Sequence, residues 1–335
     1  MDKLYVAWWN LENLFDVEGA PNRPPWLQKK LQKELAGWNE DVLEKKISQL
    51  ASIINQMNEG KGPDILGVCE VESRQVLEKL ANALHSHNHY KIIHADTNDK
   101  RGIDVAFLYN SEKVQPALEE TSSGPQPKVY SHVIVKRNAT RDILQAEFSW
   151  QEKPFIMIAN HWPSRSGGEL KTEPYRMMAA ETLSYWMERI QELRPDVPAI
   201  VMGDFNDEPF NRSMTDYALS TRERAKATSN RAQNPYLYNL TTALQGNDIG
   251  THKYQSEWGF LDQILANRAA LDVGNIHCEI NSVRIIANNE LIRARDNQPL
   301  NEGWPRRFNR PSSEHFNPEG YSDHLPIAVE INQPI

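Results

Sequence analysis

The stretch Pro198-Ala-Ile-Val-Met-Gly203-Asp204-Phe205-Asn206 constrains this chain more than any other. Four apolar residues in a row, bounded by Pro and Gly, read as a short strand buried on both faces. Gly203 then lets the backbone turn and approach closely what lies beyond the strand. Asp204 and Asn206 sit two residues apart at its end, able to point the same way. One offers a charged acceptor and the other both a donor and an acceptor. Such a pair suits holding a water or a phosphoryl oxygen against a hard metal ion. For the tetrapeptide alone, an Asx-turn closing a strand is the competing explanation.

Other apolar runs end in the same manner. Leu4 to Trp9 reads as a first strand running into Asn10-Leu-Glu12-Asn13, and Ile65 to Cys69 as a second ending at Glu70. Between them Leu43, Ile47, Leu50, Ile54 and Met57 repeat at four and three residues, one stripe of an amphipathic helix over 41–57. Ser73 caps another helix carrying Val76, Leu77, Leu80 and Leu84. Strands are expected at 90–95, 103–109, 129–135, 143–150 and 155–159, the last ending at Asn160-His161. A helix after Thr172, stopped by Pro195, precedes the central strand. Leu261 to Ala266, 273–287 and 325–331 supply further strands, while 207–240 and 288–321 read as long irregular stretches. The order describes two sheets packed together with helices outside, in α+β or mixed α/β style. No linker splits the chain by composition, so residues 1–335 are expected to form one domain.

Composition excludes several classes. The net charge of −8 argues against coating nucleic acid or an anionic membrane by bulk charge, although a local basic patch is compatible with it. Cys69 and Cys278 are the only cysteines, which rules out a disulfide framework and a cysteine-based zinc site. No run approaches the ~18 apolar residues of a membrane span. Met1-Asp2-Lys3 leads straight into the first strand without a signal peptide. A cytoplasmic location is the expectation, or a secreted or periplasmic one if a leader has been removed.

Polar residues therefore recur where strands stop: Asn10, Glu70, His161, Asp204 with Asn206, Asp262, and Asp323 with His324. Strand ends are where distant parts of a sheet converge into one cleft. Each residue alone suits a turn or a solvated carboxylate, but their coincidence calls for more. Several carboxylates in one cleft repel unless a cation is present or some are protonated. An oxygen-rich site with few nitrogens fits Mg2+, with Mn2+ as a substitute, better than zinc.

Taken in order, the motifs Trp9-Asn10-x-Glu12-Asn13, Cys69-Glu70-Val71, Asn160-His161-Trp-Pro-Ser, Gly203-Asp204-Phe-Asn206, Leu261-Asp262-Gln-Ile-Leu and Ser322-Asp323-His324-Leu-Pro326 span 9–326. In them the chain resembles the endonuclease/exonuclease/phosphatase superfamily. The resemblance implies a DNase I-like four-layer α/β/β/α sandwich and metal-assisted phosphoester hydrolysis. It makes Glu70 the principal metal ligand, with Asn10 and Asp323 beside it; Glu72 is the competing acid. It casts Asp204 and Asn206 as the pair orienting water and phosphate, and His324 as the catalytic His with Asp262 fixing its tautomer. His161 resembles a donor to a phosphate oxygen or leaving group. The chain departs from the pattern at Cys69, where the family usually has Gln, and at Glu12, often Asp in the abasic-site branch.

Secondary signals concern the substrate. Arg101 and Arg165 are candidate phosphate contacts, the latter in a loop loosened by Gly167-Gly168. Trp304-Pro-Arg306-Arg307-Phe308-Asn-Arg310 mixes cations with aromatics, as single-strand-binding surfaces do. Arg222, Arg224, Lys226 and Arg231 form another basic run, and Tyr254 and Trp258 read as packing a hairpin. The leading expectation is a Mg2+-dependent nuclease of DNA or RNA. A phosphatase or phosphodiesterase of small phosphorylated molecules or lipid head groups is the alternative, and an inactive binding module on the same scaffold the third. No protein partner is implied.

Overall fold

A computed structural model describes residues 2–85, 89–122, 124–231, 234–295 and 297–334. In chain order its longer strands, with the hairpin that borders the cleft, are β1 Lys3–Leu14, β2 Ile65–Val71, β3 Tyr90–His94, β4 Asp104–Asn110, β5 Ile143–Trp150, β6 Lys153–His161, β7 Ala199–Asp204, β8 His252–Tyr254, β9 Glu257–Gly259, β10 Asp262–Ala266, β11 His277–Ile285 and β12 Ile327–Asn332. The helices that matter here are α1 Pro25–Leu31, α2 Glu40–Gly60, α3 Arg74–Ala83 and α4 Glu169–Leu193.

Among the described residues one sheet runs β11-β12-β1-β2-β4-β3. The other runs β10-β7-β6-β5 at its centre, with the short strands 220–221, 237–239, 115–116 and 129–132 completing it. Alternation along β1 shows why the sheets stack. Tyr5, Ala7 and Trp9 pack on one side under the helices, whereas Leu4, Val6 and Trp8 enter the core between the sheets. The central strand β7 divides likewise: Ile200 and Met202 face the inter-sheet core, and Ala199 and Val201 face α4. Leu43, Leu50 and Ile54 of α2 cover the first sheet, and Leu183 and Met187 of α4 cover the second. The result is the four-layer α/β/β/α sandwich that the motifs implied. The sheets approach closely at Gly67, where a Cβ would stand 2.7 Å from both Met202 Sδ and a Trp8 ring carbon.

Several boundaries differ from the sequence reading. The first strand continues to Leu14, because Asn10 to Leu14 keep pairing with β2 across a register shift. Helix α4 begins at Glu169, before Thr172, and holds Pro174 within it. As the sixth helical residue, Pro174 lies beyond the donors that a helix start leaves free, so the bond its N–H would have donated to the Leu170 carbonyl is absent. The strand expected over 129–135 stops at His132, leaving Val133 and Val135 exposed. The stretch 207–240 contains helical turns at Ser213–Tyr217 and Arg224–Ala227 and two short strands. No helix among the described residues is long and apolar enough to cross a membrane.

Candidate active site

Register places the second sheet's polar residues in a row. Strand β6 runs parallel to β7 with His161 opposite Asp204, and β10 runs antiparallel to β7 with Asp262 opposite Asp204. Gly203 makes this possible, since a Cβ there would lie 2.5 Å from the Asn160 carbonyl oxygen and 2.6 Å from its Cβ. The first sheet brings Asn10 and Glu70 to the same end. There Glu12, Asn13, Glu70 and Asn206 all adopt positive φ, between 50° and 60°. Non-glycine residues held in that region cluster where surrounding structure imposes a functional geometry.

His324 lies at the centre. Its Nδ1 is 2.6 Å from Oδ2 of the fully buried Asp262, whose Oδ1 accepts the Trp8 indole N–H at 2.9 Å. On the other side His324 Nε2 stands 3.8 Å from Asp204 Oδ2. Asp204 is held from two directions, by Asn10 Nδ2 at 3.1 Å and the Asn206 N–H at 2.9 Å. Asn206 in turn donates to the Trp162 carbonyl at 3.0 Å. His161 Nε2 is 3.8 Å from both Asp204 Oδ2 and Glu70 Oε1, and its buried Nδ1 has no hydrogen-bond partner. Glu70 Oε2 accepts the Asn13 N–H at 3.0 Å. Asn10, Glu70, His161, Asp204, Asn206, Asp323 and His324 together line a cleft of about 660 Å³.

Of the two acids in Cys69-Glu70-Val-Glu72, Glu70 is the one that lines the cleft. Glu72 is buried away from the cleft against the Arg23 guanidinium. Arg101 lines the cleft and reaches Asn13 Oδ1 at 2.9 Å and Glu70 at 3.7 Å. Arg165 also lines it, but its guanidinium is engaged by the Asn206 carbonyl at 2.7 Å, Asp207 at 3.1 Å and Asn211 at 3.1 Å. It braces the loop after Asp204, a task that sequence spacing does not disclose.

Burial and charge set the protonation states. Burial alone would depress His324, but the carboxylates of Asp262 and Asp204 outweigh it and hold its pKa well above the usual value. Burial, against the attraction of His324 and with repulsion from Asp262, pushes Asp204 up to about 7. His161 is driven well below its usual value by burial and by the cations of Arg141 and Arg101, so it is a neutral imidazole. Burial opposes ionisation of Asp323, yet His324 and Arg307 prevail and lower its pKa.

The donor set fits a hard divalent cation. Glu70 Oε1 accepts no hydrogen bond among the described residues, with the Arg101 guanidinium at 3.7 Å and the neutral His161 imidazole at 3.8 Å. Burial and then Asp262 raise the pKa of Asp204 against the pull of His324, and a cation in the cleft would favour its ionised form. Cys69, His161 and Asp204 approach one another within 4.8 Å, as do His252, Asp323 and His324. Burial followed by the charges of Asp204 and Glu70 pushes the Cys69 thiol well up, which disfavours a thiolate ligand.

Some residues in or beside the cleft are not assigned to it by sequence. The His252 ring, on the β8–β9 hairpin, lies 4.7 Å from that of His324. Arg307 donates to Asp323 Oδ2 at 3.0 Å and to Glu12 Oε1 at 2.9 Å. Beneath them the fully buried Lys46 donates to the Tyr321 carbonyl, and burial lowers its pKa to about 8. Tyr254 and Trp258 do form the hairpin, and they also line the cleft.

A family model described as the endonuclease/exonuclease/phosphatase family matches residues 5–333. The chain belongs to this family. Solved structures share its fold. A humanized TDP2 from D. rerio aligns at a TM-score of 0.59 with 12% identity, covering 99% of each chain. The mannosyl-6-phosphatase of Bacteroides thetaiotaomicron aligns at 0.53 with 17% identity, covering 98% of this chain and 99% of that one. The human Nocturnin catalytic domain aligns at 0.51 with 15% identity, covering 99% and 94%. No curated protein matches the chain. As a member of the family, the protein is a phosphoesterase-type enzyme by fold and motif.

Proposed function

We propose that this family member is a Mg2+-dependent phosphodiester hydrolase acting on DNA or RNA, with Mn2+ able to substitute. The observation that carries the reaction type is the row of Asp262, His324 and Asp204, His324 standing 2.6 Å from the first and 3.8 Å from the second carboxylate, with Glu70 facing it across His161. Glu70, with Asn10 and Asp323 beside it, would hold the cation, which neutralises charge developing on the phosphoryl oxygens. Asp204 and Asn206 orient the attacking water, and a carboxylate poised at about 7 is able to take its proton. Asp262 fixes the orientation and charge of His324, whose Nε2–H then donates to a non-bridging phosphate oxygen. Neutral His161 donates from Nε2 towards the leaving-group oxygen. Arg101, which stands beside Glu70, contacts the phosphate.

Support for a nucleic-acid substrate comes from two directions. A D. rerio TDP2 structure with a single-strand DNA product aligns over 99% of this chain at a TM-score of 0.57. The basic and aromatic stretch around Trp304 to Arg310 also reaches the cleft through Arg307. A second reading, a phosphatase of small phosphorylated molecules, is favoured by Glu169, Glu208 and Glu257 on the cleft wall, which repel a polyanion. Initial rates with Mg2+ on single-stranded DNA, RNA, inositol phosphates and sugar phosphates separate them. Preference for either polynucleotide supports the first reading. Turnover confined to the small phosphates overturns it.

A further inference from the structure

Beyond the cleft, a groove of about 1230 Å³ is lined by Arg293, Arg295, Arg306, Arg307, Trp304 and Phe316, among others. The chain as a whole is acidic and spends most of its arginines in ion pairs. Arg293, Arg295 and Arg306, by contrast, enter no ion pair among the described residues, and Arg306 Nε is buried without a hydrogen-bond partner. Of the two acids on the groove, Glu319 is engaged by Lys45 at 2.8 Å. Unpaired like charges in one concavity repel one another, and an anionic ligand would relieve that repulsion.

Groove and cleft are joined at two places. Arg307 lines the groove and donates to Asp323, which lines the cleft. Lys253 of the β8–β9 hairpin donates to the carbonyls of Asn301 and Gly303 at 2.9 and 2.8 Å. Its ammonium also lies over two rings, 5.1 Å from that of Trp258 in the cleft and 5.3 Å from that of Trp304 in the groove. A chain of phosphates passing through the catalytic cleft therefore meets arginines next, with the exposed Trp304 among them.

We propose that this groove is a subsite for the single-stranded nucleic acid flanking the scissile phosphate, an inference that rests on the nuclease reading. Arginines take the backbone phosphates, and Trp304 offers its face to a base. The pairing of cations with a solvent-facing indole favours this ligand over an acidic protein segment, which needs no stacking surface.

Binding is measured by anisotropy with a fluorescein-labelled single strand of about 12 nucleotides in EDTA, over a salt series. Every arginine that no longer neutralises a single-strand phosphate flattens the salt slope by about 0.7, so Arg293→Gln/Arg295→Gln should flatten it by about 1.4 and weaken binding roughly tenfold. Trp304→Ala should weaken binding roughly tenfold at an unchanged slope. Turnover of bis-p-nitrophenyl phosphate, too small to reach the groove, should match wild type in both variants. Wild-type affinity and slope in the double variant would overturn the proposal. So would polyaspartate competing better than an oligonucleotide of equal charge, which would assign the groove to an acidic protein. Cleavage is read separately. Arginine-dependent binding by a wild type that cleaves no polynucleotide would refute the nuclease reading and leave the groove a nucleic-acid site.

Discussion

His324 and Asp262, 62 residues apart in sequence, are joined by a 2.6 Å contact between Nδ1 and a carboxylate oxygen that water does not reach. Because Trp8 occupies the second oxygen of Asp262, the carboxylate has one orientation and presents one oxygen to the ring. Asp262→Asn preserves the shape and removes the charge. It should lower kcat roughly 10³-fold with little change in KM, since general acid–base and orienting groups contribute about 10²–10⁴. Steady-state kinetics with the preferred phosphodiester decide this, and a kcat within threefold of wild type would remove Asp262 from the mechanism.

The same pair gives stability a pH signature. His324 has a folded-state pKa above its unfolded value of about 6.5, so the folded chain binds this proton more tightly. Its contribution is fully present below pH ~6.5 and is lost as pH rises through the folded value. His161, depressed well below its usual value, acts oppositely and penalises the fold in acid, equally in both proteins. The stability difference between wild type and Asp262→Asn should be widest near pH 6 and shrink towards alkaline pH. Urea unfolding of both proteins across that range reads it. A difference that does not vary with pH would mean that Asp262 does not hold the proton on His324.

Asp207 fastens the loop that follows Asp204 and Asn206. It is buried, with Arg176 Nε at 2.7 Å, Arg165 Nη2 at 3.1 Å and the Ser213 hydroxyl donating to it. Asp207→Ala leaves the fully buried Arg176 uncompensated, a change that costs about 3–5 kcal/mol in comparable buried pairs. A fall in the urea midpoint at unchanged m-value is the expected result. A loss under about 1 kcal/mol would show that the pair contributes as little as a surface ion pair does.

Gly203→Ala tests the register argument. The added Cβ would collide with Asn160 on the neighbouring strand, where Asn160 also takes the Trp162 indole N–H at 3.1 Å. Overpacking of this kind costs about 1–3 kcal/mol. Since Asp204 is the next residue, activity should fall further than stability alone explains. Wild-type kcat in a variant melting a few degrees lower would show that strand spacing and the placement of Asp204 are independent.

What the sequence disclosed, and what it withheld, divides by physical cause. Strands such as Leu4 to Trp9 and Ile200 to Met202 were legible because burial on both faces requires continuous apolar runs. The polar residues that end them were legible because an apolar run stops abruptly. Asn10, Glu70, Asp204, Asn206 and His324 lie in one cleft for that reason. His252 and Arg307 were not assigned to the site, and Lys46 was not seen. The first two sit in stretches without periodicity, and the last occupies the apolar face of α2, where a lysine looks like a solvated neighbour. The bracing role of Arg165 depends on partners around 41–46 residues away, which no local pattern encodes.

The most direct test is nicking of supercoiled plasmid by the wild type with Mg2+, by the wild type in EDTA, and by Asp204→Ala with Mg2+. Nicking in the first reaction alone is the expected result, because the cation and the carboxylate at the end of β7 are both required. Nicking that survives in EDTA, or in Asp204→Ala, would contradict metal-assisted attack from this cleft.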